Sequence, residues 1–323
     1  IRPMFMPGEG NVLVGGDFSK QELLICAHLA QDKKMIEALT KGQDLYSVIA
    51  SLAYGVAYEK CTEAYGDEGK ERRSAAKAIT LGVMYGKGIA AIGKDLGITY
   101  EKAQDIYKRI MKAFPGLKKF MDDSKDMARD LGYVDTVWGR RRRLPNMMLP
   151  KYEFEFTDDM PGDFDPLFTD DDDGGSIKVP ARVVRKWSKR LNETRTRESR
   201  AAVIKRAAER GIKIIDNGGY IAEATRQAVN SRVQGSAADM MKRALLLVAG
   251  NERLNELGVK IVATIHDEML VEGPKEYGRE IAEIVAACMV KSGEGLDVPV
   301  SVDWVVSERW YGEELDSGTY KEE

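Results

Sequence analysis

Val12-Leu13-Val14-Gly15-Gly16-Asp17-Phe18-Ser19, near the start of the chain, is an apolar run that ends on a carboxylate; Ile261-Val262-Ala263-Thr264-Ile265-His266-Asp267-Glu268, near its end, repeats the arrangement. Val and Ile favour a pleated, half-buried surface, so both runs read as strands with an acidic side chain at the tip. Two strand-borne carboxylates brought together can share a pair of divalent cations, the arrangement used for in-line displacement at phosphorus. Strands at both ends with helical text between them predict an α+β fold whose sheet is assembled from remote segments.

The helical text carries a second pattern. In Arg72-Arg73-Ser74-Ala75-Ala76-Lys77-Ala78-Ile79-Thr80-Leu81-Gly82-Val83-Met84-Tyr85-Gly86, the residues Arg73, Lys77, Leu81 and Tyr85 recur every fourth position. On an α-helix that spacing advances about 40° per step, so the four share a slowly turning stripe. Two cations for phosphates, an apolar contact for a sugar and a ring for stacking suit that stripe to a nucleotide.

Outward from these motifs, residues 11 to 17 read as a strand and Gln21 to Gln31 as a helix, followed from Lys33 to Ala128 by helices broken near Gly55, Gly66, Gly97 and Pro115. Residues 151 to 175 are strongly acidic, with the run Asp170 to Asp173, and predict a loop. The charge then reverses: Arg182, Arg185, Lys186, Lys189, Arg190 and further cations run on to Arg210, in a stretch compatible with helix. This block is either a grip on nucleic-acid phosphates or a solvated face paired with its own acidic stretch. A helix over Arg226 to Val248, a hairpin with His266-Asp267 at its tip, a helix over Glu276 to Lys291 and a strand through Pro299 to Val302 complete the pattern.

The 323 residues, 43% of them hydrophobic, can fill a sizeable core. Lys and Arg total 49 against 52 Asp and Glu, so any nucleic-acid contact must come from local basic patches rather than a uniform coat. Cys26, Cys61 and Cys288 are too scattered for a metal signature or a disulfide framework, which fits a reducing compartment. No apolar run approaches the ~20 residues of a membrane span. The expectation is a cytoplasmic protein with no membrane partner.

Three motifs together resemble those of the family A DNA polymerases, the bacterial polymerase I type, which has many phage members. Asp17-Phe18-Ser19-Lys20-Gln21-Glu22-Leu23 with Ala27-His28-Leu29 is similar to motif A, the arginine-to-tyrosine stretch to motif B, and His266-Asp267-Glu268 to motif C, in the same order. Gly42-Gln43-Asp44-Leu45-Tyr46, Phe114-Pro115-Gly116, Gly132-Tyr133-Val134 through Gly139-Arg140-Arg141, and Arg226, Asn230, Gln234 with Gly235-Ser236-Ala237-Ala238-Asp239 resemble the intervals.

The resemblance implies a right-hand architecture: an antiparallel-sheet palm in two parts, 1–32 and 216–323, interrupted by mainly helical fingers over 33–215 that carry a charged insertion at about 151–213. It implies a palm and fingers piece whose thumb is absent, since Ile1-Arg2-Pro3-Met4-Phe5 resembles a stretch well inside the family's polymerase domain. Asp17 and Asp267, with the Phe18 carbonyl, are implied ligands of two Mg²⁺ ions, with Mn²⁺ as a substitute, and Glu268 and Lys77 join Asp17 and Asp267 as implied catalytic groups. Arg73, Lys77, Leu81, Tyr85, Glu22, Gln21 and Tyr46 are implied to contact the incoming deoxynucleotide, with Glu22 beneath its sugar. Arg226, Asn230, Gln234 and His266 are implied to contact primer and template.

Two departures stand out. Leu81 occupies a position where family members carry Phe or Tyr, and Tyr46 one where many carry His. Leu81 and the charged insertion suggest a phage origin, with phage replication proteins as candidate partners alongside primer-template DNA and dNTPs. The implied activity is template-directed DNA synthesis with release of pyrophosphate.

Three other readings remain open at this level. A His-Asp dipeptide also marks metal-dependent phosphohydrolases, although these need more histidines than His28 and His266. Gly86-Lys87-Gly88-Ile89-Ala90-Ala91 imitates a dinucleotide-binding turn, although it follows a helix rather than a strand. The chain could also be a non-catalytic nucleic-acid-binding piece of a polymerase.

Overall fold

The computed structural model describes residues 2–156, 179 and 181–321. By internal contacts the chain divides into two compact units, Ile1–Leu144 with Arg226–Glu323, and Pro145–Thr225. The first begins with β1 (Asn11–Phe18) and continues through α1 (Gln21–Ala30), α2 (Lys33–Thr40), α3 (Leu45–Tyr54), α4 (Asp67–Met84), α5 (Ile89–Asp95), α6 (Tyr100–Ala113) and α7 (Pro115–Leu131) to a short ladder of β2 (Tyr133–Asp135) and β3 (Arg141–Arg143). The second holds β4 (Tyr152–Phe156), α8 (Ala181–Asn192), α9 (Arg197–Ala208) and β5 (Ile212–Asp216). Next comes α10 (Gly218–Ala249), whose residues from Arg226 onward belong to the first unit, then α11 (Glu252–Glu256), β6 (Lys260–Ile265), β7 (Glu268–Pro274), α12 (Gly278–Lys291), β8 (Ser301–Ser307) and β9 (Glu314–Lys321).

In the first unit the two acidic strands of the sequence meet in one antiparallel sheet, of order β6-β7-β1-β8-β9. β1 is central, and its Val12, Leu13 and Val14 are all buried because both faces are covered. Val12 and Val14 join Val302, Trp304 and Val306 of β8 in a core with Ile281, Ala282, Val285 and Met289 of α12. Leu13, one residue out of phase and so on the other face, packs with Leu270 and Trp310. Gly16 lets α12 approach closely: a Cβ there would stand 2.7 Å from the Met289 sulfur.

The helical interval follows its punctuation. Gly55 ends α3, Gly66 precedes α4, Gly97 separates α5 from α6, and Pro115 is the first residue of α7, where its fixed φ suits a helix start and its missing N–H is not needed. The β9 strand, beyond the expected last strand, extends the sheet by pairing with β8.

The second unit corrects one expectation. The stretch read as a loop from residue 151 opens with a strand, β4, whose antiparallel partner is β5, with Tyr152 opposite Asp216 and Phe156 opposite Ile212. Tyr152, Trp187, Leu191, Ala207, Ile212 and Ile214 form a separate core, to which Phe154, Val183, Val203 and Ile204 add. The acidic residues Asp158, Asp159, Asp163, Asp165 and Asp170 to Asp173 lie outside the described residues.

Candidate active site

Strand register decides which carboxylates meet. On β1, Asp17 lies opposite Glu268 of β7 and opposite Asp303 of β8, so three acidic residues form a row across adjacent strands on one face of the sheet. Asp267 sits beside them in the two-residue turn between β6 and β7, where His266 takes a left-handed φ of 57°. The backbone fastens this corner: the Phe18 N–H donates to the Asp267 carbonyl at 3.2 Å and the Ser19 N–H to the Ser301 carbonyl at 3.0 Å.

The row is held by donors from its flanks. Ser19 Oγ donates to Asp303 Oδ2 at 2.6 Å, Thr319 Oγ1 to Asp303 Oδ1 at 2.5 Å, and Trp310 Nε1 to Glu268 Oε1 at 2.7 Å. Two clefts open here. One, of about 280 Å³, is lined by Asp17, Glu268, Asp303 and Trp310; the other, of about 550 Å³, by Gln21, Glu22, Gln234, His266 and Asp267.

Partial burial, followed by repulsion from Asp267, Glu268 and Asp303, pushes the Asp17 carboxyl up from 3.8 to about 6. A half-buried carboxylate with acidic neighbours is what a divalent cation relieves, so the donor set fits Mg²⁺. Among the described residues no three His, Cys, Asp or Glu side chains already converge on a single point. Ions bound to Asp17, Asp267 and the Phe18 carbonyl would therefore complete their shells with water and substrate oxygens, as Mg²⁺ does readily.

The stripe expected to face a nucleotide is formed by the helix with one difference in geometry. Arg73, Lys77 and Leu81 lie on α4, whereas Tyr85 is the residue that ends it. The Arg73 guanidinium is already engaged: Nε and Nη2 hold the two oxygens of Asp44 at 2.7 and 3.1 Å, and Nη1 lies 3.0 Å from Glu63. Burial alone would raise Asp44, yet hydrogen bonds from Arg73, Ser47 and Lys20 hold it well below the usual carboxylate range. The exposed Lys77 ammonium lies 5.6 Å from the centre of the buried Tyr46 ring, with Arg73 at 5.7 Å from the same ring. Leu81 is half-buried against the core.

Glu22 is the junction of three elements. Tyr85 donates its hydroxyl to Glu22, and Gln234 Nε2 donates to Oε1 at 3.2 Å. Burial raises the Glu22 pKa, and the Gln234 hydrogen bond lowers it. Gln21 is buried and donates to the Ala237 carbonyl at 3.3 Å, tying α1 to α10. Along α10, Arg226 and Gln234 are exposed while the Asn230 side-chain oxygen is buried without a partner among the described residues. Gly86 has φ +73°, and the Arg226 side chain lies so close that a Cβ on Gly86 would stand 2.2 Å from it.

The sequence reading missed three residues. Asp303 is a lone acid in β8, and only its register with Asp17 reveals it. Trp310 is visible only through its contact with Glu268. Asp44 was quoted within a motif, but its double task as N-cap of α3 and counter-ion of Arg73 needs the fold. His28, which a phosphohydrolase would need as a metal ligand, instead pairs with Asp297 at 3.1 Å. Gly86 follows α4, so the dinucleotide turn fails in context.

Comparison with known proteins agrees with this arrangement. The profile of DNA polymerase family A matches residues 1–156 and 181–312. The thermostable DNA polymerase I of Thermus aquaticus is 28% identical over 313 residues, covering 96% of this chain and 28% of the relative. DNA polymerase I of Bacillus subtilis (strain 168) is also 28% identical, covering 96% of this chain and 27% of the relative, so the chain spans little more than a quarter of these proteins. The POL domain of Pol1 from M. smegmatis, solved in complex with DNA primer-template and dNTP, superposes with a TM-score of 0.67 at 28% identity, covering 96% of this chain and 42% of that one. β9 lies beyond the last residue matched by the family profile.

Proposed function

The chain belongs to DNA polymerase family A, and from that premise we propose that it carries the centre for template-directed DNA synthesis, joining dNTPs to a primer 3′-hydroxyl with release of pyrophosphate. The observation that carries the reading is the convergence of Asp17 and Asp267 at one corner of the sheet, where burial and then the neighbouring carboxylates raise Asp17 to about 6. Primer-template DNA and dNTPs are the proposed substrates, in keeping with the complex solved for the M. smegmatis relative.

Asp17, Asp267 and the Phe18 carbonyl would hold two Mg²⁺ ions, or Mn²⁺ in their place. When bound, such ions supply activation of the attacking hydroxyl and neutralisation of charge on the leaving group. The chain's own residues do the rest. Lys77, exposed and without a carboxylate partner among the described residues, meets the triphosphate as a compact charge, and its value lies in the charge that develops as pyrophosphate leaves.

Arg73 adds a planar fork once it exchanges Asp44 and Glu63 for phosphate oxygens. Glu22, held by Tyr85 and Gln234, forms the floor under the sugar and disfavours a 2′-hydroxyl. Because Tyr85 ends α4, a movement of that helix would break its bond to Glu22, coupling substrate entry to the sugar floor. Arg226, Asn230, Gln234 and His266 are the proposed contacts to primer and template, the Asn230 oxygen being buried without a partner among the described residues. Leu81 and the charged second unit support a phage origin, with phage replication proteins as further partners.

The test is extension of a labelled primer on a DNA template with four dNTPs and Mg²⁺, comparing the chain with Asp17→Ala and Asp267→Ala. Templated extension that both variants lose is the expected result. Salt-sensitive DNA binding with no extension, even when the chain is fused to the remaining polymerase-domain sequence of a relative, would favour a non-catalytic binding module instead.

A further inference from the structure

We propose that the exposed face of α8 and α9 in the second unit is a grip for the phosphodiester backbone of nucleic acid, centred on a three-arginine cleft that seats one phosphate. Between residues 181 and 210 the sequence holds eleven Lys and Arg against three Glu. Among the described residues only Arg200 of these cations has a carboxylate partner, Asp216 at 3.5 Å. Among the described residues, therefore, ten of the eleven cations are not neutralised by a neighbouring carboxylate, unlike those of an ordinary salt-bridged helix face.

The two helices leave no apolar face for a different use. Val183, Trp187 and Leu191 of α8, and Val203, Ile204 and Ala207 of α9, are turned into the core of this unit. What remains outside is mainly charged, with alanines as the only fully exposed apolar side chains, which suits a polyanion in water and lacks the bulky apolar stripe that an interfacial membrane helix buries. At a rise of about 1.5 Å per residue α8 is about 18 Å long. A duplex lying along it offers on the order of ten backbone charges over that distance.

One point on this face is built rather than merely charged. Arg190 of α8, Arg206 of α9 and Arg210 just after it surround a cleft of about 290 Å³, with Trp187 and Glu209 completing the lining. The Arg190 and Arg210 guanidinium carbons lie 5.1 and 6.0 Å from the centre of the Trp187 ring, which is only 2% exposed. A buried ring restricts the guanidinium planes, so less freedom is lost when their forks close on phosphate oxygens. Glu209 offsets one of the three positive charges and leaves an excess that a bound phosphate would neutralise.

The choice of nucleic acid among polyanions rests on the polymerase reading above, whereas the anion site rests on this geometry alone. The experiment measures binding of a labelled blunt DNA duplex to the full chain across a series of salt concentrations. Two variants are compared: Arg190→Gln with Arg206→Gln and Arg210→Gln in the cleft, and Arg182→Gln with Arg185→Gln and Lys189→Gln on the open face. The second set has no partner among the described residues, so it decides the matter if melting shows that the first fails to fold.

Each phosphate contact contributes about 0.9 to the slope of log K against log salt, so each variant is expected to lower the slope by about one unit or more and weaken binding by about tenfold near 0.1 M salt. Asp267→Asn is expected to lose extension and keep the parent slope. Lowered slopes in a parent that never extends a primer would leave the grip standing and sink the polymerase reading. Slopes unchanged in both variants, or binding of the parent to phosphatidylserine vesicles that the variants lose while their DNA slopes hold, would overturn the grip.

Discussion

The acidic corner of the sheet and the basic face of α8 and α9 both concentrate charge of one sign, yet they hold it differently. Asp303 is fixed by donors from Ser19 and Thr319 and Glu268 by one from Trp310, and Asp17 is set between them by strand register. The cations of α8 and α9 stand on long side chains, and among the described residues only Arg200 has a carboxylate partner. A row tied down by such bonds can discriminate between states of a reacting phosphate, because its geometry is set before substrate arrives. Charge on mobile stems can attract a backbone but cannot choose among such states, and salt screens it.

The contrast is broken most directly by function. Asp17→Asn keeps the size and removes the charge, and extension is expected to fall by at least about 10³-fold, since metal-assisted stabilisation of charge is worth several kcal/mol. The salt slope of DNA binding should not move with it. Charge loss on α8 producing an equal fall in kcat at saturating DNA would erase the distinction.

Lys77→Ala tests the intermediate case, an exposed cation proposed to meet the reacting group. A loss of about 10²-fold in kcat, comparable to removing one preorganised donor, is expected from single-turnover extension. An effect confined to KM would put Lys77 with the basic face instead.

Sequence legibility follows the same division. The corner could be read because its parts announce themselves locally: apolar β-branched runs ending on Asp17 and Asp267, and helix breaks at Gly55, Gly66, Gly97 and Pro115 that the chain obeys. Asp303 could not be read, since a lone Asp in a late strand carries no local signal and matters only through its register with Asp17. β4 is an error of weighting rather than of information. Tyr152-Glu153-Phe154-Glu155-Phe156 alternates with period two, but the acidity of the residues after it pulled the reading toward a loop. The fork between Arg73 and Asp44 joins residues on two helices, which no periodicity within either helix could disclose.

That fork sharpens the comparison with the smallest expected effect, because Arg73 is a cation of the first unit whose charge the fold does consume. Asn serves as an N-cap about as well as Asp, so Asp44→Asn keeps the start of α3 while removing the charge that Arg73 and Lys20 hold. A loss of about 1–2 kcal/mol in unfolding free energy at neutral pH is expected, within the range for hydrogen bonds to charged groups. The Asp44 pKa is lowered on folding, so its contribution is fully present above the ordinary value of 3.8 and declines as pH falls below it toward the folded value. Parent and variant should therefore converge in stability on acidification, as measured by urea unfolding at successive pH values. A stability gap that stays constant below pH 3.8 would mean that Asp44 acts through packing rather than charge. If Asp44 also competes with the triphosphate for Arg73, the same variant should bind dNTP more tightly, and unchanged dNTP affinity would show that the guanidinium is a strut of α3 and α4 rather than a ligand held in reserve.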